Sequence, residues 1–188
     1  MSFVQTIKAD IARYARERPV RFDVATLLLV KEHYGLQAVL VYRLGQALLS
    51  KKDKVLWWPL VAIGSVPYVL LAAWMRFGYG IDLRPSAQIG AGLYIGHLGG
   101  IRVANCRIGS GCSIAQRCQI GAPDGPGPLI GDRVWVGAHA RILGAINIAD
   151  GVTISAGCHI ARDLPARVLV AGNPGRITLR DYDNSRLL

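Results

Sequence analysis

Apolar residues return every six positions through the second half of the chain. They fall at Leu83, Ile89, Ile95 and Ile101, then Ile108, Ile114 and Ile120, then Ile130, Val136, Ile142, Ile148, Ile154 and Ile160. The next position is often Gly or Ala, as at Gly90, Gly96, Gly109, Ala115, Gly121, Gly131, Gly137 and Ala149. An α-helix needs spacings of three and four, and a hairpin sheet needs strict alternation with irregular turns, so neither fits. A six-residue period fits a triangular solenoid, in which each side is a short strand bonded to the coils above and below at ~4.8 Å. The pattern therefore predicts a mainly β fold, a parallel β-helix of about four coils over residues 81–165. A helical region (1–80) precedes it and a C-terminal tail (166–188) follows.

Breaks in a repeat mark where chain leaves the prism. One extra residue between Ile101 and Ile108 predicts a bulge. Four extra residues between Ile120 and Ile130, in GAPDGPGPL, predict an exposed loop at 121–129, either a wall of a binding site or a tolerated insertion. Cys106, Cys112 and Cys118 are six apart, and Cys158 follows Ile154 as Cys112 follows Ile108. All four occupy the small-residue slot that Ala87 and Ala140 fill elsewhere, which predicts small buried thiols rather than a disulfide or metal framework.

Ahead of the prism, Phe3, Val4, Ile7, Ile11 and Tyr14 form one helical face. The stretch ARERPVRF reads as a turn, and ATLLLV with LQAVLVYRLGQALL as a second helical run. Residues 55–75, VLWWPLVAIGSVPYVLLAAWM, carry no charge and end at Arg76. Their length suffices for one membrane span, and Trp57, Trp58 and Trp74 beside Lys51, Lys52 and Lys54 resemble an interfacial belt. Pro59, Gly64 and Pro67 instead predict two short helices meeting at a bend. An interfacial anchor, packing within the protein's own assembly and a true span all stay open.

Composition narrows the partners. Hydrophobic residues make up 52% and the formal charge is +10, which favours anionic partners such as a phosphorylated cofactor or a lipid surface. No basic stretch interleaved with aromatics, finger or recognition-helix pattern argues for nucleic acid. The charged start, MSFVQTIKADIARYARERP, lacks the apolar core of a secretion signal, which predicts a cytoplasmic protein, with the inner membrane face as an alternative.

The stretch GIDLRPSAQIGAGLYIGHLGGIRV, with CSIAQRCQIGAP, DRVWVGAHARILGAINIADGVTISAGC and DLPARVLVAGNPGRI, resembles the serine acetyltransferase branch of the hexapeptide acyltransferases. The resemblance covers residues 80–177 and implies a left-handed β-helix, a homotrimer with sites between prisms, and acetyl-CoA as co-substrate without a metal. It implies His97 as the general base that takes the acceptor hydroxyl's proton, and Asp82 as the carboxylate that orients it. A base near neutrality is what a hydroxyl needs to attack a thioester, and imidazole supplies one. The resemblance also places cofactor contacts at Gly121, Ala138 and Ala156, and offers Arg162 or Arg176 for the cofactor's phosphates.

Serine-specific members of that branch carry an Asp before the base, an Arg-His pair in the loop after the third coil and another Asp among the helices. Here those places read Gly96, GAPDGPGP and ERPV. A zwitterion without charged partners would forgo charge-assisted hydrogen bonds worth about 1.5–3 kcal/mol each. A saccharide hydroxyl, in surface polysaccharide or lipid-linked precursor synthesis, is accordingly expected ahead of serine. A non-catalytic trimeric scaffold is the rival from another class. The wide separation of His97, His139 and His159 disfavours a γ-type carbonic anhydrase.

Overall fold

The structure is a computed structural model, and it describes residues 2–15, 23–51, 58–97, 99–122 and 124–188. Most of the ARERPVRF turn, residues 55–57 of the apolar segment and Pro123 in the 121–129 loop lie outside these.

Three sheets form the prism. The first stacks strands Ile81–Leu83, Ile101–Val103, Gln119–Ile120, Arg141–Ile142 and His159–Ile160, all parallel. The second stacks Gln88–Ile89, Arg107–Ile108, Leu129–Ile130 and Asn147–Ile148. The third runs from Tyr94–Ile95 through Ser113–Ile114, Trp135–Val136 and Thr153–Ile154 to Leu169–Ala171, where Arg176–Leu179 joins antiparallel. Columns of Ile and Val fill the interior: Ile101, Ile120, Ile142, Ile148 and Ile154 are almost fully enclosed. Each such side chain contributes about 1.5–3 kcal/mol by leaving water. The solenoid is thus legible from its period, but it has five coils rather than four. Leu164, bridged to Ile148, and Val170, level with Ile154, complete the fifth. A side only four residues long, from Ile160 to Leu164, hid it.

Cys106, Cys112, Cys118 and Cys158 are free and buried, as the small-residue slot predicts. Burial pushes the Cys106 thiol up to about 12 and those of Cys112 and Cys118 to about 11, so none of the three supplies a thiolate near neutrality.

Among the described residues, four helices precede the prism. Helix α1 (Phe3–Tyr14) opens on a capping box between Ser2 and Gln5, and α2 (Val24–Glu32) on Asp23, which accepts from Thr26 N–H. They are followed by α3 (Tyr34–Lys51) and α4 (Trp58–Gly78). The bend expected in the apolar segment is absent: α4 is one helix with Pro67 inside it. Pro59 falls in its first turn, where a missing N–H costs nothing. Among the described residues no single helix is long and apolar enough to cross a membrane.

The first coil has no coil beneath it, so its backbone edge needs other partners. The Tyr42 hydroxyl accepts from Ile89 N–H at 3.0 Å and donates to Ala87 O at 2.7 Å. The Tyr14 hydroxyl accepts from Ile95 N–H at 2.8 Å. Between them sits a buried ion pair, Arg43 Nε to Asp10 Oδ2 at 2.8 Å. Asp10 accepts from Gly92 and Leu93 N–H, and Arg43 donates to the carbonyls of Ile89 and Gly90. Side chains of α1 and α3 thus take the place of a missing coil.

Candidate active site

Strand register relocates the first break in the repeat. Val103, not Ile101, stands level with Leu83 and Ile120, while Ile108 stands level with Ile89. Two residues are therefore gained between Ile95 and Val103, and one is lost before Ile108. The two changes add up to the single extra residue visible in the sequence. At the corner between the third and first sheets, Arg117 N–H donates to Gly99 O, His139 N–H to Gln116 O and Gly157 N–H to Ala138 O, at 2.7–2.9 Å. Gly99, Gln116, Ala138 and Ala156 hence form one column. Between Gly96 and Gly99 lie two positions without counterpart in the coil above, where Ala115 leads directly to Gln116. His97 occupies one of them, exposed beyond the regular corner at the foot of the column.

His97 lines a cleft of about 650 Å3 built from both halves of the molecule. Tyr14, Glu32, His33, Tyr34 and Gly35 form one wall, and Tyr94, Ile95, Gly96 and Gln116 the other. Gly35 permits this meeting, because a Cβ there would lie 2.0 Å from Ile95 O. Tyr14 stacks near Tyr94 and His33, with centroids 4.9 and 5.6 Å away. Burial raises its hydroxyl well above the ordinary range, so it stays a neutral donor and acceptor. Sequence reasoning missed Glu32 and His33. They stand 65 and 64 positions before His97, and only the fold of α2 onto α3 brings them close.

Asp82 does not meet His97. No hydrogen bond or ion pair joins the two among the described residues, and each lines a different cleft. Asp82 faces outward from the first strand beside Tyr42, Tyr68 and Met75, with its Oδ2 3.8 Å from Arg76 Nε. The expected orienting contact is replaced here by an ion pair to α4. Burial, and secondarily the charge of Asp82, raises the Tyr68 hydroxyl.

Of the residues expected at a cofactor, two share the column of Gln116: Ala138 is half-buried and Ala156 exposed. No backbone bond takes either N–H among the described residues, so both can receive a carbonyl. With ~4.8 Å per coil, Ala156 lies about 14 Å from Gly99 along the column. Gly121 and Arg162 follow strands of the first sheet and sit at another corner. Gly121 is buried, donates its N–H to Ile142 O at 3.0 Å, has φ 73°, and a Cβ there would lie 1.8 Å from Ala104 O. Packing accounts for that glycine. Arg162 Nη2 donates to Gly175 O at 3.0 Å, and Arg176 is exposed opposite Ala171 at the far end of the prism. The 121–129 loop folds back on the prism, with Pro128 O accepting from Arg107 N–H at 3.0 Å.

No protein-family model matches the chain. Individual proteins do: the serine acetyltransferase of Staphylococcus xylosus is 32% identical over 187 residues, 95% of this chain and 79% of the relative. The chain belongs to the serine acetyltransferase family. Among solved structures, that of Neisseria gonorrhoeae serine acetyltransferase matches with a TM-score of 0.76 at 26% identity, over 96% of this chain and 68% of that one. A serine acetyltransferase in complex with CoA matches with a TM-score of 0.73 at 26% identity, over 94% and 70%. These matches span the helices as well as the prism. The protein is therefore an acyltransferase with acetyl-CoA as co-substrate, and the scaffold reading falls away.

Proposed function

We propose that this acetyltransferase transfers the acetyl group of acetyl-CoA to the hydroxyl of serine, with His97 as general base. The observation that carries the reading is the placement of His97 at the foot of the column Gln116–Ala138–Ala156, beside a cleft with one acidic wall residue, Glu32. The thioester supplies an acyl carbon that a hydroxyl can attack. The free N–H groups of Ala138 and Ala156 suit the amide carbonyls of the pantetheine arm. His97 takes the hydroxyl proton as the oxygen–acyl bond forms and returns it to the departing sulfur as the carbon–sulfur bond breaks. Glu32 faces the substrate ammonium and answers part of the charge that Gly96 fails to provide. The resemblance gives Asp82 the task of orienting His97, whereas its carboxylate stands here against Arg76. The family resemblance supports a homotrimer, in which a neighbouring prism can add to the cleft.

One observation favours a second acceptor. The described residues lining the cleft include no Lys or Arg, so a substrate carboxylate finds no cation there, whereas a neutral saccharide hydroxyl needs none. A saccharide on a surface-polysaccharide or lipid-linked precursor is the acceptor in that case.

Thiol release from acetyl-CoA, followed with L-serine and with neutral sugars in parallel, separates these readings. Serine should stimulate release, and His97→Ala should lower kcat/KM by about 10²–10⁴-fold. Full turnover by His97→Ala removes the base assignment. Release stimulated by a sugar but not by serine puts the second acceptor in place of the first.

A further inference from the structure

Helix α4 covers the first coil with one side only. Met75 is buried and Tyr68 half-buried against α3 and the first strand. On the other side Ile63, Val66, Leu70, Trp74 and Phe77 are all exposed, Phe77 at 81%. Their spacings of three, four, four and three put them on one helical face about four turns long. A continuous apolar stripe of this length on a water-facing surface calls for a partner.

The charges around the stripe say which kind. Helix α4 contains no acidic residue, and its only formal charge is Arg76, exposed at its C-terminal end with its guanidinium 5.6 Å from the Phe77 ring. The sequence ahead of it, Lys51 to Lys54, holds three lysines and one aspartate, and the whole chain carries +10. In the sequence, basic residues thus stand on both sides of the stripe, Arg76 sharing its charge with Asp82. Two copies of a chain with this net charge gain no charge complementarity by packing together, whereas an anionic surface attracts it. The stripe also leads to the active site: Trp74 lies 6.1 Å from Tyr79, and Tyr79 4.7 Å from Tyr34 in the cleft wall. The Tyr79 carbonyl accepts from Gly99 N–H at 2.9 Å, two residues after His97.

We propose that the exposed face of α4 lies on an anionic lipid surface, with its apolar side chains in the interfacial layer and the protein's excess positive charge drawing it to the headgroups. The His97 cleft then opens next to that surface. This binding does not depend on which hydroxyl is acetylated, and it is read without acetyl-CoA or acceptor.

The full-length protein is sedimented with vesicles of phosphatidylglycerol and phosphatidylcholine, and with vesicles of phosphatidylcholine alone. Binding is expected to the anionic vesicles, weaker at high salt, and reduced about tenfold or more by Leu70→Glu with Trp74→Glu. An unchanged far-ultraviolet spectrum and melting midpoint show that the double variant is folded. Absence of sedimentation with anionic vesicles overturns the proposal. It is equally overturned if the double variant lowers the particle mass by light scattering, which would show that a second copy covers the stripe.

Discussion

The two ends of the prism solve one problem in opposite ways. Each terminal coil has backbone groups with no coil to bond. At the far end the chain supplies more backbone: Arg176–Leu179 pairs with Leu169–Ala171, and Gly175 N–H donates to His159 O at 2.9 Å. At the near end, helices supply side chains, with Tyr14, Tyr42, Asp10 and Arg43 reaching eight backbone groups of the first coil. Backbone capping tolerates almost any side chain, because every non-proline residue carries the same donor and acceptor. Side-chain capping rests on particular residues, chiefly these four with Gln46 added at Ala87 O, and two of the four are charged and buried. The near end should therefore be sensitive to single substitutions and the far end indifferent. His97 sits at the sensitive end.

Arg43→Met should show the largest effect. It leaves Asp10 buried without its counter-charge and removes donors from the carbonyls of Ile89 and Gly90. Breaking a buried pair in this way costs about 3–5 kcal/mol. Urea unfolding at fixed protomer concentration should show a correspondingly lower midpoint. A midpoint within experimental error of wild type would break the comparison, since the near end would then not depend on its ion pair.

The same contrast explains what the sequence discloses. The prism is legible because Ile89, Ile95 and their successors repeat a single physical requirement, an apolar side chain at each inward position. The caps repeat nothing. Tyr14 reads as one more member of the apolar face with Ile7 and Ile11, and nothing local marks its hydroxyl as the partner of Ile95 N–H. Asp10 and Arg43 are 33 positions apart and look like ordinary helix-surface charges until the fold buries them. At the site, His97 is legible through its motif and the small residues Ala138 and Ala156 through their 18-residue separation. The outward displacement of His97 is not, because a gain of two residues and a loss of one leave only their sum in the sequence. Glu32 and His33 carry no signal at all. They enter the cleft through the packing of α2 and α3, which no periodicity encodes. The apolar segment is a third case. Its prolines predict a bend, yet Pro67 lies exposed inside the single helix α4.

A smaller effect separates hydrogen bonding from packing at the near end. Tyr42→Phe keeps the ring and removes the hydroxyl that serves Ile89 N–H and Ala87 O. Gln46 Nε2 still donates to Ala87 O at 3.1 Å, so the group left without a partner is the buried N–H of Ile89. The expected cost is about 1–3 kcal/mol, the penalty for one orphaned buried donor. Amide exchange at Ile89 should quicken in step with the lost stability. Stability equal to wild type would mean that water reaches that edge and that the hydroxyl is dispensable.

Thr178→Ala should show the smallest effect. Thr178 makes a side-chain contact at the far end, its hydroxyl donating to Leu169 O at 3.1 Å on an exposed strand. Leu169 also lies in register with Leu179 across the same antiparallel pair, so the strand is held by backbone whether or not the hydroxyl is present. Surface substitutions of this kind shift stability by less than about 0.5 kcal/mol. Measured in the same urea series, Thr178→Ala should fall within that band while Tyr42→Phe falls outside it. A loss as large as that of Tyr42→Phe would mean that the far edge also leans on side chains, and the two ends would then differ in sequence but not in kind.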